Sequence, residues 1–158
     1  MARARHTVPV TEAWQGLRYE RGPDCEDLNE AARGEVLAAE STAGDLPLLR
    51  FLVEQEALCR AHSQGLGEQA ALAGFLLAEH RRPEDVWRHF ALKRANFDAG
   101  CMYDVEHLCA AGVQVTVDHV RASDHPDRET VLELLSVDLD EDDLRQWFEH
   151  RREWFREP

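Results

Sequence analysis

The sequence predicts an all-α fold. Three observations lead there. Apolar residues recur at three- and four-residue intervals almost throughout from residue 26 onward. Acids, prolines and glycines fall where helices start and stop. The one alternating stretch, Val113-Gln-Val-Thr-Val117, has no second strand to pair with and reads better as a helix. We expect seven or eight helices, forming a short α-solenoid or an irregular bundle of antiparallel helix pairs closed by an aromatic C-terminal helix. At 158 residues the chain is long enough to bury one continuous core without disulfides or metal.

Each element follows from local signals. Residues 1–25 carry Arg3, Arg5, Arg18 and Arg21 against Glu12 and Glu20, and Pro9, Gly16, Gly22 and Pro23 interrupt them. They are expected to form an N-terminal arm on a single domain spanning 26–158. Thr11 would cap a short helix bearing Trp14 and Leu17, with Trp14 and Tyr19 docking on the body. A disordered terminus is the alternative. An Ala/Glu-rich helix over 28–41 stops before Gly44. Asp45 and Pro47 open the next, whose stripe is Leu48, Leu49, Leu52, Val53, Leu58 and Cys59. Gly65 and Gly67 break the chain before a helix over 66–80. Pro83, Glu84 and Asp85 start another, with Val86, Phe90, Leu92 and Phe97 on its stripe and Trp87 beside it. Asp98 is a suitable N-cap for a helix over 99–111, where Cys101, Val105, Leu108 and Cys109 share a face until Gly112. Helices over 113–122 and from Pro126 to Leu135 follow. Asp140 starts the last, striped by Leu144, Trp147, Phe148 and Trp154.

An internal repeat accompanies this pattern. Ala31-Ala32…Val36-Leu37-Ala38-Ala39-Glu40 matches Ala70-Ala71…Phe75-Leu76-Leu77-Ala78-Glu79 at a shift of about 39 residues, in the range of paired-helix solenoids. The stretch from Ala38 through Gly44-Asp45-Leu46 to Val53 resembles the inner part of an ankyrin repeat. No TPLH-type opening precedes it, and HEAT-like pairing fits the spacing better. The resemblance to helical-repeat scaffold proteins covers about residues 28–111. It implies a protein-binding scaffold and carries no catalytic residues over.

Composition limits the function. Eighteen basic residues against 31 acidic ones give a net charge of −13. That charge repels phosphate and argues against direct nucleic-acid binding. No apolar run approaches the ~18 residues that span a bilayer, so no membrane association is expected. The basic start is not followed by the apolar stretch of a secretory signal. Cys25, Cys59, Cys101 and Cys109 include no CxxC pair, consistent with a reducing, cytoplasmic setting without disulfides. Lys93 is the only lysine, a bias of the kind that codon composition produces.

Four constellations bear on chemistry. Asp138, Asp140, Asp142 and Glu149 have the carboxylate spacing of a calcium-binding loop. However, Asp143 stands where that loop needs its glycine, and Leu144, Trp147 and Phe148 keep helical spacing across it. An acidic helix start opposed by Arg151, Arg152 and Arg156 explains the same residues through the macrodipole. Cys101, His107 and Cys109 span two helical turns, about 12 Å, too far for one tetrahedral zinc. No metal is therefore expected. The junction around Lys93, Arg94, Asn96, Asp98, Tyr103 and Asp104 can be read as a pocket or as capping and packing. In the packing reading Asp98 caps, Asn96 ends the preceding helix and Phe97 staples the two. Trp147, Phe148, Trp154 and Phe155 form either internal packing or partner anchors. His80 and His89 are expected near helix ends or on solvent faces. With no GxGxxG or GxxxxGK[ST] loop, no cofactor is expected.

These observations favour a non-catalytic, acidic, cytoplasmic module that binds a basic protein partner. An inhibitor or immunity-type protein is the sharpest version. Its contacts would come from Trp147, Phe148, Trp154 and Phe155 with Asp140, Asp142 and Asp143. The alternative is a small helical enzyme or ligand-binder at the 93–107 junction. There Asp98 or Asp104 would act as base, His107 as acid or base, and Arg94 as anion clamp. A homodimer through the last helix is a third possibility.

Overall fold

Eight helices form from these segments in the structure, a computed structural model that describes residues 14–39 and 45–156. They are α1 (Glu30–Ala39), α2 (Leu46–Ala61), α3 (Glu68–Ala78), α4 (Val86–Lys93), α5 (Phe97–Met102), α6 (Val113–Arg121), α7 (Arg128–Leu135) and α8 (Glu141–Arg156). Short 3-10 turns lie at Gln15–Leu17, Pro83–Asp85 and Val105–His107. Among the described residues there is no strand, only an isolated bridge between Arg21 and Asp27. The fold is all-α.

Two helices carry the core. In α3 every residue from Ala73 to Ala78 is buried, as expected of a helix apolar on all sides and enclosed by neighbours. Helix α2 packs against both α3 and α4 and buries Leu49, Phe51, Leu52, Val53 and Cys59. Each such apolar side chain contributes about 1.5–3 kcal/mol when fully removed from water. Helices α6 and α7 pack on each other and add Val120, Val131 and Leu135 to the same cluster.

The segment before α1 is fastened by side chains. Trp14 packs on Phe51, ring centroids 5.1 Å apart. Tyr19 stacks on His62 at 5.6 Å, and its backbone N–H donates to Gln55 Oε1 at 2.8 Å. The strongest fastening is Arg33, whose side chain is wholly buried. It donates to Asp27, to Glu56 Oε1 at 2.9 Å and to the Leu17 carbonyl at 3.3 Å. The cap proposed for Thr11 and the stop before Gly44 lie outside the described residues.

Several expectations need correction. Asp45 precedes α2, but its carboxylate makes no capping bond. Leu58 is half exposed, while Gln55 and Glu56 take the buried face because Arg33, Gln69 and Tyr19 satisfy them. The helix expected over 99–111 breaks at Tyr103. Lys93 Nζ stops α5 by donating to the Gly100 carbonyl at 2.8 Å and to the Tyr103 carbonyl, and a 3-10 turn then re-aims the chain. Asn96, not Asp98, caps α5, accepting from the Ala99 N–H at 2.7 Å. Phe97 staples nothing and is 85% exposed. His89 is buried, not near solvent.

Gly74 lets Tyr103 reach the core. A methyl group there would sit 2.6 and 2.8 Å from Cε2 and Cζ of the Tyr103 ring, closer than any real contact. Gly74→Ala is therefore expected to cost about 1–3 kcal/mol by overpacking, read as a lower urea midpoint. A variant as stable as the parent would show that the ring can move freely.

Candidate interaction surface

Helix α8 starts with a reciprocal cap. The Asp143 N–H donates to Asp140 Oδ1 at 2.8 Å, and the Asp140 N–H donates to Asp143 Oδ2 at 3.2 Å. Two otherwise unpaired donors are thereby satisfied. Asp142 accepts from Arg145 and Gln146. The calcium-like spacing thus resolves into a helix start. Among the described residues, no three His, Cys, Asp or Glu side chains gather as metal ligands.

The aromatic face of α8 has two destinations. Phe75 of α3 is gripped by Trp147, Phe148 and Phe155, with centroids 5.9, 6.1 and 5.3 Å away. Phe148 is completely buried, and the Arg81 guanidinium lies 4.1 Å from its ring centre. Trp154 points away and is 62% exposed. Of the four aromatics, three close the fold and one is left facing outward.

Beside Trp154, α1, α3 and the end of α8 enclose a cleft of about 510 Å3. Leu37, Ala38, Ala71 and Leu72 form its apolar lining, and Glu68 and Trp154 stand at it. Glu68 lies in the first turn of α3.

The acidic surface is concentrated elsewhere. Between residues 113 and 143 there are ten carboxylates against two arginines. Nine of the ten are exposed, Asp127 alone being half-buried. Val115 and Val137, each about half exposed, lie within it. This end of the molecule, formed by α6, α7 and the start of α8, presents both negative charge and small apolar contacts.

The 93–107 junction places its residues apart. Asp98 accepts from the Gly65 N–H at 2.7 Å, fixing the loop before α3. Arg94 pairs with Asp127 at 3.1 Å. Asp104 accepts from Trp147 Nε1 at 2.8 Å and from Arg151, tying the junction to α8. His107 Nδ1 bonds the Asp104 backbone carbonyl at 2.9 Å. The structure thus brings Asp104 and His107 together and leaves Asp98 and Arg94 at separate contacts. Lys93 and Arg94 line a cleft of about 410 Å3 with Phe90, Thr130 and Leu134.

Beneath this junction lies a buried polar cluster that joins Tyr103 and His107, both named from the sequence, to His89, which was expected near solvent. His89 Nδ1 and Tyr103 Oη are 2.6 Å apart, and the His107 ring stacks on Tyr103 at 3.8 Å. Trp147 meets His107 edge-on at 4.6 Å. Burial disfavours the charged form of both histidines. It pushes His107 down to about 3, helped by Arg151 and Lys93, and holds His89 well below its ordinary value. The same burial holds the Tyr103 hydroxyl well above its ordinary range. The cluster is uncharged at neutral pH. The signal for His89 was present, since it lies three residues after Val86 on the inner face of α4.

Comparison with protein-family models, with curated proteins and with solved structures finds no match to this chain. No helix among the described residues is long and apolar enough to cross a membrane.

Proposed function

We propose that this chain is a non-catalytic, cytoplasmic protein-binding module that covers a basic surface of its target, in the manner of an inhibitor or immunity-type protein. The observation that carries this reading is the exposed carboxylate surface of α6, α7 and the start of α8, with Val115 and Val137 set among the charges. Such a surface steers an oppositely charged partner into place and repels like-charged ones. The sequence repeat of about 39 residues supports reading the scaffold as helical-repeat in kind, although α2 packs on both α3 and α4 rather than in separate pairs α1–α2 and α3–α4.

The experiment is capture from native extract at low salt, elution by a salt step, and stopped-flow association with the protein recovered. The on-rate is expected to fall about tenfold or more between low and physiological ionic strength. Combining Asp118→Asn, Glu133→Gln and Asp138→Asn should slow association further without changing the thermal midpoint, since all three are exposed. An on-rate indifferent to salt would sink the proposal. The small-molecule alternative has the cleft beside Lys93 and Arg94 in its favour. It predicts a thermal shift with small carboxylates that Arg94→Ala abolishes.

A further inference from the structure

We propose that Lys93 captures a short 2-oxo acid in the cleft between α4, α5 and α7, as a reversible imine at its Nζ. This inference rests on the small-molecule alternative for that cleft and adds a covalent bond to it. Lys93 is the only lysine among 18 basic residues, so the chain has a single side-chain amine. Addition to a carbonyl needs an amine, and a guanidinium, always charged, cannot supply one. The fold fixes where this amine stands. Nζ donates to the Gly100 carbonyl at 2.8 Å and to the Tyr103 carbonyl. Two of its valences are thus directed at the end of α5, and the third is left for the cleft that Lys93 lines. Both acceptors are neutral carbonyls. Burial lowers the Lys93 pKa, against the opposing pull of Asp104, Cys101 and Glu106, so more of it is free amine at neutral pH than of an exposed lysine.

The other walls of the cleft select the ligand. Arg94 stands beside Lys93 in the lining. Asp127 holds it through Nη1 at 3.1 Å, and its Cζ lies 5.3 Å from the Phe90 ring centre. Its other nitrogens can take a carboxylate. Two cations against one carboxylate make the lining locally positive in a chain at −13. Phe90 and Leu134 offer apolar surface to a short alkyl tail. A carbonyl for Lys93, a carboxylate for Arg94 and a short apolar tail together describe a 2-oxo acid. The step balances with no oxidant or reductant. Nζ gives one proton to water, and its lone pair attacks the carbonyl carbon. The C–N bond forms, the carbonyl oxygen takes one proton from Nζ and one from solvent and leaves as water, and C=N remains. Overall an ammonium and a ketone become a protonated imine and one water.

The test incubates the full chain with pyruvate and sodium cyanoborohydride, which reduces the imine to a stable amine. Peptide mass spectrometry locates the adduct, with Nα-acetyllysine amide in the same tube as the reference amine. Labelling is expected at Lys93, about tenfold or more faster than at the reference. Arg94→Ala should slow labelling by pyruvate about tenfold and leave labelling by propanal, which lacks the carboxylate, unchanged. Arg94 is exposed, so the thermal midpoint of that variant should stay in place. Lys93→Arg keeps a cation for the two carbonyls and should leave no side-chain adduct. Labelling of Lys93 no faster than the reference would overturn the proposal. So would a thermal shift with pyruvate and no trapped adduct, which leaves the reversible small-molecule reading standing. Equal pyruvate labelling of the parent and Arg94→Ala would overturn the choice of a 2-oxo acid. Neither a thermal shift nor an adduct would end both readings of the cleft.

Discussion

Acidifying the protein from about pH 6.5 to about pH 4 is expected to remove roughly 3 kcal/mol of stability through His107 alone, at about 1.4 kcal/mol per pH unit. The folded pKa of His107 is held at about 3 against an ordinary value of 6.5, because burial excludes the imidazolium and Arg151 and Lys93 repel it. Below 6.5 the unfolded chain takes up a proton that the folded chain refuses. Stability is therefore complete above 6.5 and is lost as pH falls toward 3. His89 is depressed in the same direction, by burial first and by His107 and Arg88 next, and steepens the fall. Glu106 works the other way, since burial raises its pKa and favours the folded state at low pH. Comparing the parent with His107→Phe isolates the one group. Urea denaturation at several pH values should give a slope between pH 6.5 and 4 that is shallower by about 1.4 kcal/mol per unit in the variant. Equal slopes would mean that His107 is hydrated in solution.

Arg33→Leu is expected to cost about 3–5 kcal/mol, the penalty for stranding buried charge. Two carboxylates, those of Asp27 and Glu56, face this guanidinium, with side chains 2% and 1% exposed. Burial works against the charge on Asp27, yet Arg33 and the Asn29 and Glu20 amides keep its pKa below the ordinary value. Removing the cation leaves both acids buried with nothing to balance them. Among the described residues, Glu56 keeps the Gln69 amide, at 2.6 Å. The segment carrying Trp14 and Tyr19 should loosen as well, because Arg33 also holds the Leu17 carbonyl. Trypsin cleavage after Arg18 and Arg21 should accelerate in step with the lower urea midpoint. The triple change Asp27→Asn, Arg33→Leu and Glu56→Leu should recover most of the loss, since it removes the charges together. A single variant within about 1 kcal/mol of the parent would show that water reaches the site.

The helices were legible because their signals are local. Proline at the start of α2, the glycine before α6 and the acids opening α8 all act within one turn of chain. The apolar stripes of α2, α3 and α8 likewise show in the sequence alone. What failed is what tertiary partners decide. Arg33 lies four residues before Leu37, on the inner face of α1, but sequence spacing cannot show that Asp27 and Glu56 will meet it there. The break at Tyr103 depends on Lys93, ten residues earlier, reaching the carbonyls that end α5. Asp98 looked like a cap, but Asn96 was better placed for the Ala99 N–H, and Asp98 was free to hold the loop at Gly65. The surface was readable only in part. The acids opening α8 are exposed, but of its four aromatics only Trp154 was left outward, because Phe75 engages the other three.

The grip on Phe75 sets a timetable for synthesis. Its partners Trp147, Phe148 and Phe155 follow it by more than seventy residues. Helices α2, α3 and α4 are close in sequence and can associate while the ribosome is still making the rest. During that interval the α3 face around Phe75 stands bare to water and to neighbouring nascent chains. The arrival of α8 covers it, and the Asp104 contacts to Trp147 and Arg151 fasten the late helix to the earlier ones. The span between translating α3 and translating α8 is therefore the chain's most vulnerable period for chaperone capture or aggregation. A pause in translation shortly before α8 would lengthen that exposure more than a pause anywhere after it.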